Sequence, residues 1–423
     1  MTASAGAVVG IPAVLPELLA KPSGDTSSSL PACGPGPLAQ DYTVVFHETE
    51  EKLYIEGTGL IRLDDGALLA IVPVVPRSEW TKELRVSHSH IHLVRSDDHG
   101  RTWQPVSKLP YYSARPWTYQ GRLYLFVFEP GPKKRNDNML LVRSDDGGRS
   151  WSKPVTLFQG HFWNCQTSLV IRDERLYWAV DDISLGTIDK RTQRVIAGDL
   201  SGDPMNAAAW RMSEPSVFPG VPDLLSNPKF AKLDDRVLEP NLIEVRGQLR
   251  VLACVKINNQ TLSNLCAVFD VHDDGRTIQL RFLQYHPMPG GQLKFCILRD
   301  EVSKMFWATA NFAVDSQEAF DWWDAGRKQG DFRPTSTAGD DRRLLMLLYS
   351  LDGLNWFQAG CVAQAAKISQ SFMYAAPVID GDDLAIVCRS SVAAPHQHDA
   401  DYATFHRVKD FRRLALNLFP QVE

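Results

Sequence analysis

From Tyr42 onward the chain reads as short apolar runs of strand length broken by tight polar turns. Leu68 to Pro76 is among the longest of these runs. Asp, Asn, Gly and Ser fill the turns, residues that adopt left-handed backbone or close it with a side chain. No apolar run approaches the ~18 residues of a membrane-spanning helix. One segment, Ser316 to Arg327 (SQEAFDWWDAGR), reads as a helical insertion, or as a loop presenting Trp322 and Trp323.

The runs repeat as strand, tight turn, strand. The first copy is Thr58 to Ala70 and the second Pro116 to Leu125; the third is Ser168 to Trp178 and the fourth Asn241 to Val251. Lys294 to Asp300, continued at Met305 to Ala308, is the fifth, and Ala376 to Ile386 the sixth. The spacing suits a four-stranded unit with insertions of variable length. The predicted fold class is therefore all-β, a six-bladed β-propeller of four-stranded antiparallel blades. A seventh, worn blade is the alternative count, and a pair of β-sandwiches leaves the repeats unexplained.

A second motif follows other apolar runs. Leu93-Val-Arg-Ser-Asp-Asp-His-Gly-Arg-Thr-Trp103 is nearly repeated as Leu141-Val-Arg-Ser-Asp-Asp-Gly-Gly-Arg-Ser-Trp151. A shortened copy is Tyr349-Ser-Leu-Asp-Gly-Leu-Asn-Trp356, and a worn one spans Val271 to Ile278. Asp and Gly make the turn, and the Trp can fold back as a plug between neighbouring sheets.

Composition narrows the class without changing it. The 26 Pro, 28 Gly, 19 Phe, 11 Trp and 11 Tyr suit a turn-rich β protein. A net charge of −5 argues against a nucleic-acid partner. Seven Cys without C-x-x-C spacing suggest neither a disulfide framework nor zinc, and Cys254, Cys296 and Cys388 read as buried thiols. Ala5 to Ala20 is apolar but is interrupted by Pro12, Pro16 and Glu17, and no Lys or Arg precedes Lys21. No signal peptide is expected there. Residues 1–41 read as a tail or linker and 42–423 as the propeller. The oligomeric state and compartment are left open.

The S-x-D-x-G-x-T/S-W pattern, carried by Ser96, Asp98, Gly100, Thr102 and Trp103 and again by Ser144, Asp146, Gly148, Ser150 and Trp151, resembles the Asp box (BNR repeat) of the sialidase (neuraminidase) superfamily. That resemblance covers about residues 42–415 and implies a six-bladed propeller with the Asp boxes on the face away from the site. It implies a Tyr nucleophile, a Glu that takes its proton, an acid/base Asp and three Arg that clamp a carboxylate. Tyr374 stands near the start of the sixth inner strand, as the family's Tyr does, and Glu239 near the start of the fourth, as the family's Glu does. The arginines depart from the pattern. Lys256 and Lys294 stand where two are expected, and Arg62 lies inside its strand rather than at its start. An ammonium does not replace a bidentate guanidinium, so the clamp is weakened or retargeted.

The residues themselves can be read off the repeat. One mouth of a propeller is built where inner strands begin and second strands end. Beginnings carry Glu56, Ser113 or Arg115, Asn164 or Gln166, Glu239 or Asn241, Lys294 and Tyr374; ends carry Glu129, Asp181 with Asp182, Lys256, Asn311 and Arg389. Loops add His396, His398 and Asp399, with Trp163 nearby. Such a convergence of both charges predicts a ligand site. Glu239, Tyr374 and Asp181 are the candidate catalytic residues. Lys294, Arg389, Lys256, Glu56, Glu129, Asn164, Gln166, His398 and Trp163 are the candidate substrate contacts. Trp322 and Trp323 are further aromatic candidates, whereas Trp307 reads as core. His88, His90 and His92 alternate on one strand face, but a rise of about 3.3 Å per residue leaves the outer two too far apart for one ion. No metal or cofactor is expected. The leading function is exo-acting glycoside hydrolysis on a glycan terminus, with two carboxyl groups or a phenol and a carboxylate at the bond. Elimination at a uronate through Lys256 or Lys294 and Tyr374 or His398, and non-catalytic sugar or protein binding, are the alternatives.

Overall fold

In a computed structural model of the chain, the described residues are 36–77, 86–131, 136–184, 191–220, 236–257, 263–314, 316–329, 340–394 and 396–415. They form six antiparallel sheets, the blades of the expected propeller, in one compact unit beginning at Pro37. Blade one runs from its inner strand Gly59–Arg62 through Leu68–Pro76 and His90–Ser96 to Gln104–Leu109. The other inner strands are Ser113–Tyr119, Leu169–Arg172, Arg236–Val245, Cys296–Arg299 and Ser371–Asp380, each followed by its second and third strands. All six predicted hairpins are these inner and second strands. In blades one and three the inner strand is broken, with short leading pieces Leu53–Ile55 and Phe162–Trp163. Ser316–Lys328 is a helix carrying Trp322, not a loop.

The ring closes through sequence ends. The outermost strand of blade six is Thr43–His47, paired antiparallel with Tyr402–Val408. Ahead of it, Leu38 and Ala39 donate N–H bonds to Cys361 and Val362 of blade five, at 2.7 and 2.9 Å. The chain thus meets the propeller slightly before Tyr42. Most of the expected tail lies outside the described residues.

Six apolar clusters hold the blades together, one in each gap. Second strands supply both of their neighbours by alternation. Leu68, Ala70 and Val72 face blade six, while Leu69 and Ile71 face blade two. Trp178 and Val180 face blade two, while Tyr177 and Ala179 face blade four. Both faces are buried, which is why Leu68–Pro76 is apolar along its whole length.

The repeated turns join third and fourth strands on the face opposite the inner-strand beginnings. Ser96 Oγ donates to Asp98 and accepts from the Gly100 N–H, both at 2.8 Å. Asp98 also accepts from the Thr102 N–H and hydroxyl, at 2.9 and 2.7 Å. Ser144, Asp146, Gly148 and Ser150 repeat this network. In the shortened copy Asn355 supplies the closing donor to Asp352. The two full copies wedge against the preceding blade: Trp103 lies 5.4 Å from Phe405, and Trp151 Nε1 donates to Ser107. Arg62 ends on this far face, bonded to Asp380 at 2.9 Å.

Gly100 shows how closely that wedge fits. Its φ is +86°, and an added Cβ would lie 2.2 Å from the Phe405 ring. Gly275 in the worn copy has φ +87° but open space around it. Gly275→Ala therefore bears backbone strain alone, about 1–2 kcal/mol. Gly100→Ala adds a steric clash of roughly 1–3 kcal/mol. Thermal unfolding of the two variants should show the larger drop for Gly100→Ala; equal drops would mean that the turn does not wedge.

Candidate active site

Two backbone irregularities make the site. Glu239 and Tyr374 each occupy the fourth position of a ten-residue inner strand, in blades four and six. In blade four, Leu238 pairs with Cys254 but the register has slipped by Asn241, which pairs with Leu252. In blade six, Met373 pairs with Arg389 and Ala376 with Val387, the same slip. Glu239 has φ +56° and Tyr374 φ +50°, left-handed values that bulky residues avoid. Such strain costs about 1–3 kcal/mol per residue and persists only where its surroundings over-determine it. Each bulge turns a side chain toward the axis that would otherwise enter a gap between blades. The result is a 2.5 Å hydrogen bond from Tyr374 Oη to Glu239 Oε1, across 135 residues of sequence.

Supports surround this pair. Lys294 Nζ and Thr309 Oγ1 donate to the Ala375 carbonyl, inside the second bulge, at 2.7 and 3.2 Å. The Glu239 N–H donates to Asp181 Oδ2 at 3.2 Å. Asp181 is fully buried and also accepts from Arg191 at 2.8 Å and Gln193 at 3.2 Å. Burial outweighs the Arg191 charge and raises the Asp181 carboxyl above its ordinary value. Asp181 is therefore a strut beneath the first bulge. Cys254 donates its thiol to the Leu293 carbonyl at 2.9 Å, with Glu239 Oε2 3.6 Å away. Gly57 leaves room for Cys165 and the Tyr374 ring: a Cβ there would stand 2.6 Å from Cys165 Cβ and 3.4 Å from the ring.

Cations crowd the phenol. Arg389 Cζ lies 4.8 Å from the Tyr374 ring centroid and Arg342 Cζ 5.8 Å. Arg389 is fully buried, with Nη1 3.4 Å from Glu56 and Nη2 donating to the His398 carbonyl. Arg342 and Lys256 share one carboxylate, Asp340, at 3.5 and 2.7 Å. Burial first, and the Glu239 charge second, push the Tyr374 phenol well above its ordinary value, while the two guanidinium groups oppose them. The resting phenol is neutral and donates to Glu239.

Other candidates have separate duties. Gln166 acts as a substitute strand residue, accepting from the Leu60 N–H at 2.6 Å and donating to its carbonyl at 2.9 Å. Asn164 bonds Ala179 and Pro240, and Asn241 bonds Ser168, Phe295 and Ile297. Asn311 bonds the Phe372 carbonyl. These buried amides join blades. Asp182 pairs with Arg194 and closes the Ser184 turn. Glu129 accepts from Asn138 at 2.8 Å, and Arg115 donates to the Thr167 carbonyl. Trp163 is 4% exposed and carries Arg191 5.2 Å from its ring, so its face is covered. Trp307 is core, packed on Phe411. His92 packs on Phe46 of blade six and is pushed down to about 4 by burial, then His90 and Lys108. Among the described residues no His, Cys, Asp or Glu group has metal-binding geometry.

Arg342, Arg191 and Asp340 belong to the same mouth but escape the reading of inner and second strands, whereas Arg77 directly follows the second strand of blade one and was overlooked there. Arg342 and Arg191 sit just before third strands, Leu344–Ser350 and Thr192–Asp199, which also begin on this face. Counting those beginnings as a third set would have found both.

A neutral buried tyrosine has a measurable consequence. Its raised value in the fold means full stability below the unfolded phenol's ~10 and progressive loss above it. Tyr374→Phe lacks that loss. Denaturant unfolding at pH 8 and above pH 10 should show the variant gaining on the parent as pH rises. A difference that stays constant would mean that the phenol ionises freely in the fold.

No family model matches the chain, and no curated protein matches it in sequence. Solved structures do match. A Trypanosoma rangeli sialidase in complex with sialic acid superposes with a TM-score of 0.55 at 17% identity, over 85% of this chain and 55% of that one. This chain thus corresponds to about half of that sialidase. A Penicillium chrysogenum alpha-L-arabinanase complexed with arabinobiose gives 0.54 at 12% identity, over 90% of this chain and 100% of that one. The GH93 alpha-L-arabinofuranosidase of Fusarium graminearum gives 0.52 at 10%, over 88% and 98%. At such identities the likeness is one of fold: the chain is a sialidase-like six-bladed β-propeller, the architecture on which these glycoside hydrolases are built.

Proposed function

We propose that this propeller is a glycoside hydrolase that releases a terminal sugar, with Tyr374 as nucleophile and Glu239 as the base that takes its proton. The observation that carries the reading is the 2.5 Å bond between two side chains, each held at positive φ by a bulge. A structural hydrogen bond needs no such paired strain. A phenol is a weak nucleophile until a neighbouring carboxylate removes its proton. Glu239 is in place to do so, and Arg389 and Arg342 stabilise the phenolate oxygen as it forms. Attack by Tyr374 gives a covalent glycosyl intermediate that water then opens, so the product keeps its anomeric configuration.

The charges favour an anionic sugar. Among the described residues Arg342 and Lys256 have one carboxylate between them, and Lys294 meets a carbonyl rather than a carboxylate. A neutral nucleophile also avoids repulsion from a substrate carboxylate. Arg389 and Arg342 are the candidate partners of that group.

The test is incubation with sialosides, neutral oligosaccharides and uronate-containing glycans, followed by mass spectrometry. Hydrolysis adds one water on cleavage; cleavage without water means elimination and overturns the reading. Glu239→Gln and Tyr374→Phe should each lower kcat by about 10²–10⁴-fold or more. Binding without turnover across the panel would make the mouth a lectin site. Arg342→Met should lower kcat on every member and, for anionic members alone, also raise KM at least about tenfold, one lost charged contact.

A further inference from the structure

The reaction above also needs a proton for the departing oxygen, and Tyr374 and Glu239 do not supply it. We propose that His398, oriented by Asp399, is the acid that protonates the leaving group and the base that later activates water. This rests on the reading of Tyr374 as nucleophile.

His398 lies in the loop 392–401 between the second and third strands of blade six, on the face where Tyr374 emerges. That loop is fixed from several sides. Val392 and Ala393 donate to the Asp401 carboxylate at 2.8 and 2.9 Å. Ser371 bonds the Gln397 carbonyl, and the Gln397 side chain accepts from the Arg342 N–H at 2.7 Å. Arg389 reaches from the Tyr374 ring to the His398 carbonyl, so one guanidinium touches both nucleophile and loop.

The imidazole is held at one nitrogen and, among the described residues, unbonded at the other. Nδ1 is 2.9 Å from Asp399 Oδ1, and no described residue bonds Nε2. The side chain is 36% exposed, whereas that of Asp399 is 13% exposed. Asp399 already has a permanent cation, Arg77, and His396 lies 3.4 Å away. It does not need His398 as a counter-charge. Its remaining role is to fix the tautomer with the proton on Nδ1 and to stabilise the imidazolium. Tyr54, its ring 5.8 Å away, packs against the imidazole from blade one.

The proton balance closes. In the first step Tyr374 Oη bonds to the anomeric carbon and its proton passes to Glu239. The glycosidic C–O bond breaks, and the leaving oxygen takes the proton from His398 Nε2. In the second step His398 Nε2 takes a proton from water, whose oxygen bonds to the anomeric carbon. The Tyr374–carbon bond breaks, and Glu239 returns its proton to the phenol.

The pH sign follows from the groups facing His398, which are Asp399, Arg389, Arg342, Asp340 and Tyr54. Burial and then Arg389 hold the imidazole below its ordinary value of 6.5, with Asp399 opposing. Its acid form is therefore lost as pH rises, below pH 6.5 in the free enzyme, and kcat/KM falls over that range.

The test compares two glycosides of whichever sugar the panel releases, one 4-nitrophenyl and one methyl. The first leaving group departs without a proton and the second does not. His398→Gln should lower kcat/KM by under about tenfold on the first and by about 10²–10⁴-fold on the second, and should remove the falling limb of the pH profile. Equal losses on both, with the limb retained, would overturn the proposal and make His398 a positioning residue. Tyr374→Phe separates the two readings. If it abolishes turnover while His398→Gln shows equal losses, only the acid assignment fails. If turnover survives Tyr374→Phe, the nucleophile reading fails, and this inference with it.

Discussion

The hydrogen bond between Tyr374 and Glu239 is the constraint on which the rest of the site depends. A regular inner strand aims alternate side chains into the gaps on either side of its blade. Neither residue could reach the other from such a strand. Two bulges with the same register slip, in blades four and six, change the aim of both. The strain is local, and the surrounding contacts hold it in place. Lys294 and Thr309 grip one bulge, and Asp181 grips the other from below. The six apolar clusters make the frame stiff enough to sustain both.

Many of the charged groups near the channel are paired with one another. Asp181 and Arg191 form a closed unit beneath Glu239. Asp399 and Arg77 form another beside the mouth. Arg389 is divided between Glu56, the His398 carbonyl and the Tyr374 ring, so no single partner claims its charge. Lys294 spends its charge on a carbonyl. What remains beside the neutral phenol is the pair Arg389 and Arg342, which oppose the burial and the Glu239 charge that hold its proton in place.

The blades were legible because each hairpin carries its own local signal, apolar alternation around a turn. Glu239 and Tyr374 were legible from their places in the repeat. Their contact was implied by the resemblance, but the bulges that make it were not legible, because they contain no glycine and their left-handed backbone leaves no mark on the sequence. Gln166 and Asn164 read as ligands for a chemical reason. An amide able to bind a sugar hydroxyl is equally able to join neighbouring backbone segments, and in this fold it does so. Arg342 stayed hidden because it precedes a third strand. The pairing of Thr43–His47 with Tyr402–Val408 was invisible because it joins segments that lie at opposite ends of the chain.

That last pairing bears on the order of assembly. Among the described strands Thr43–His47 is made first and its partner last. Until then the ring stands open at blade six, the blade that carries Tyr374 and Arg389. Long-range pairing of this kind is slow, because the loop between the partners must close before any contact rewards it. A nascent or clipped chain lacking either strand would keep five nearly complete blades and lose the support of the sixth. Closure of the blade that carries Tyr374 thus waits on Tyr402–Val408, and a chain lacking that strand would hold the other blades without the support of the sixth.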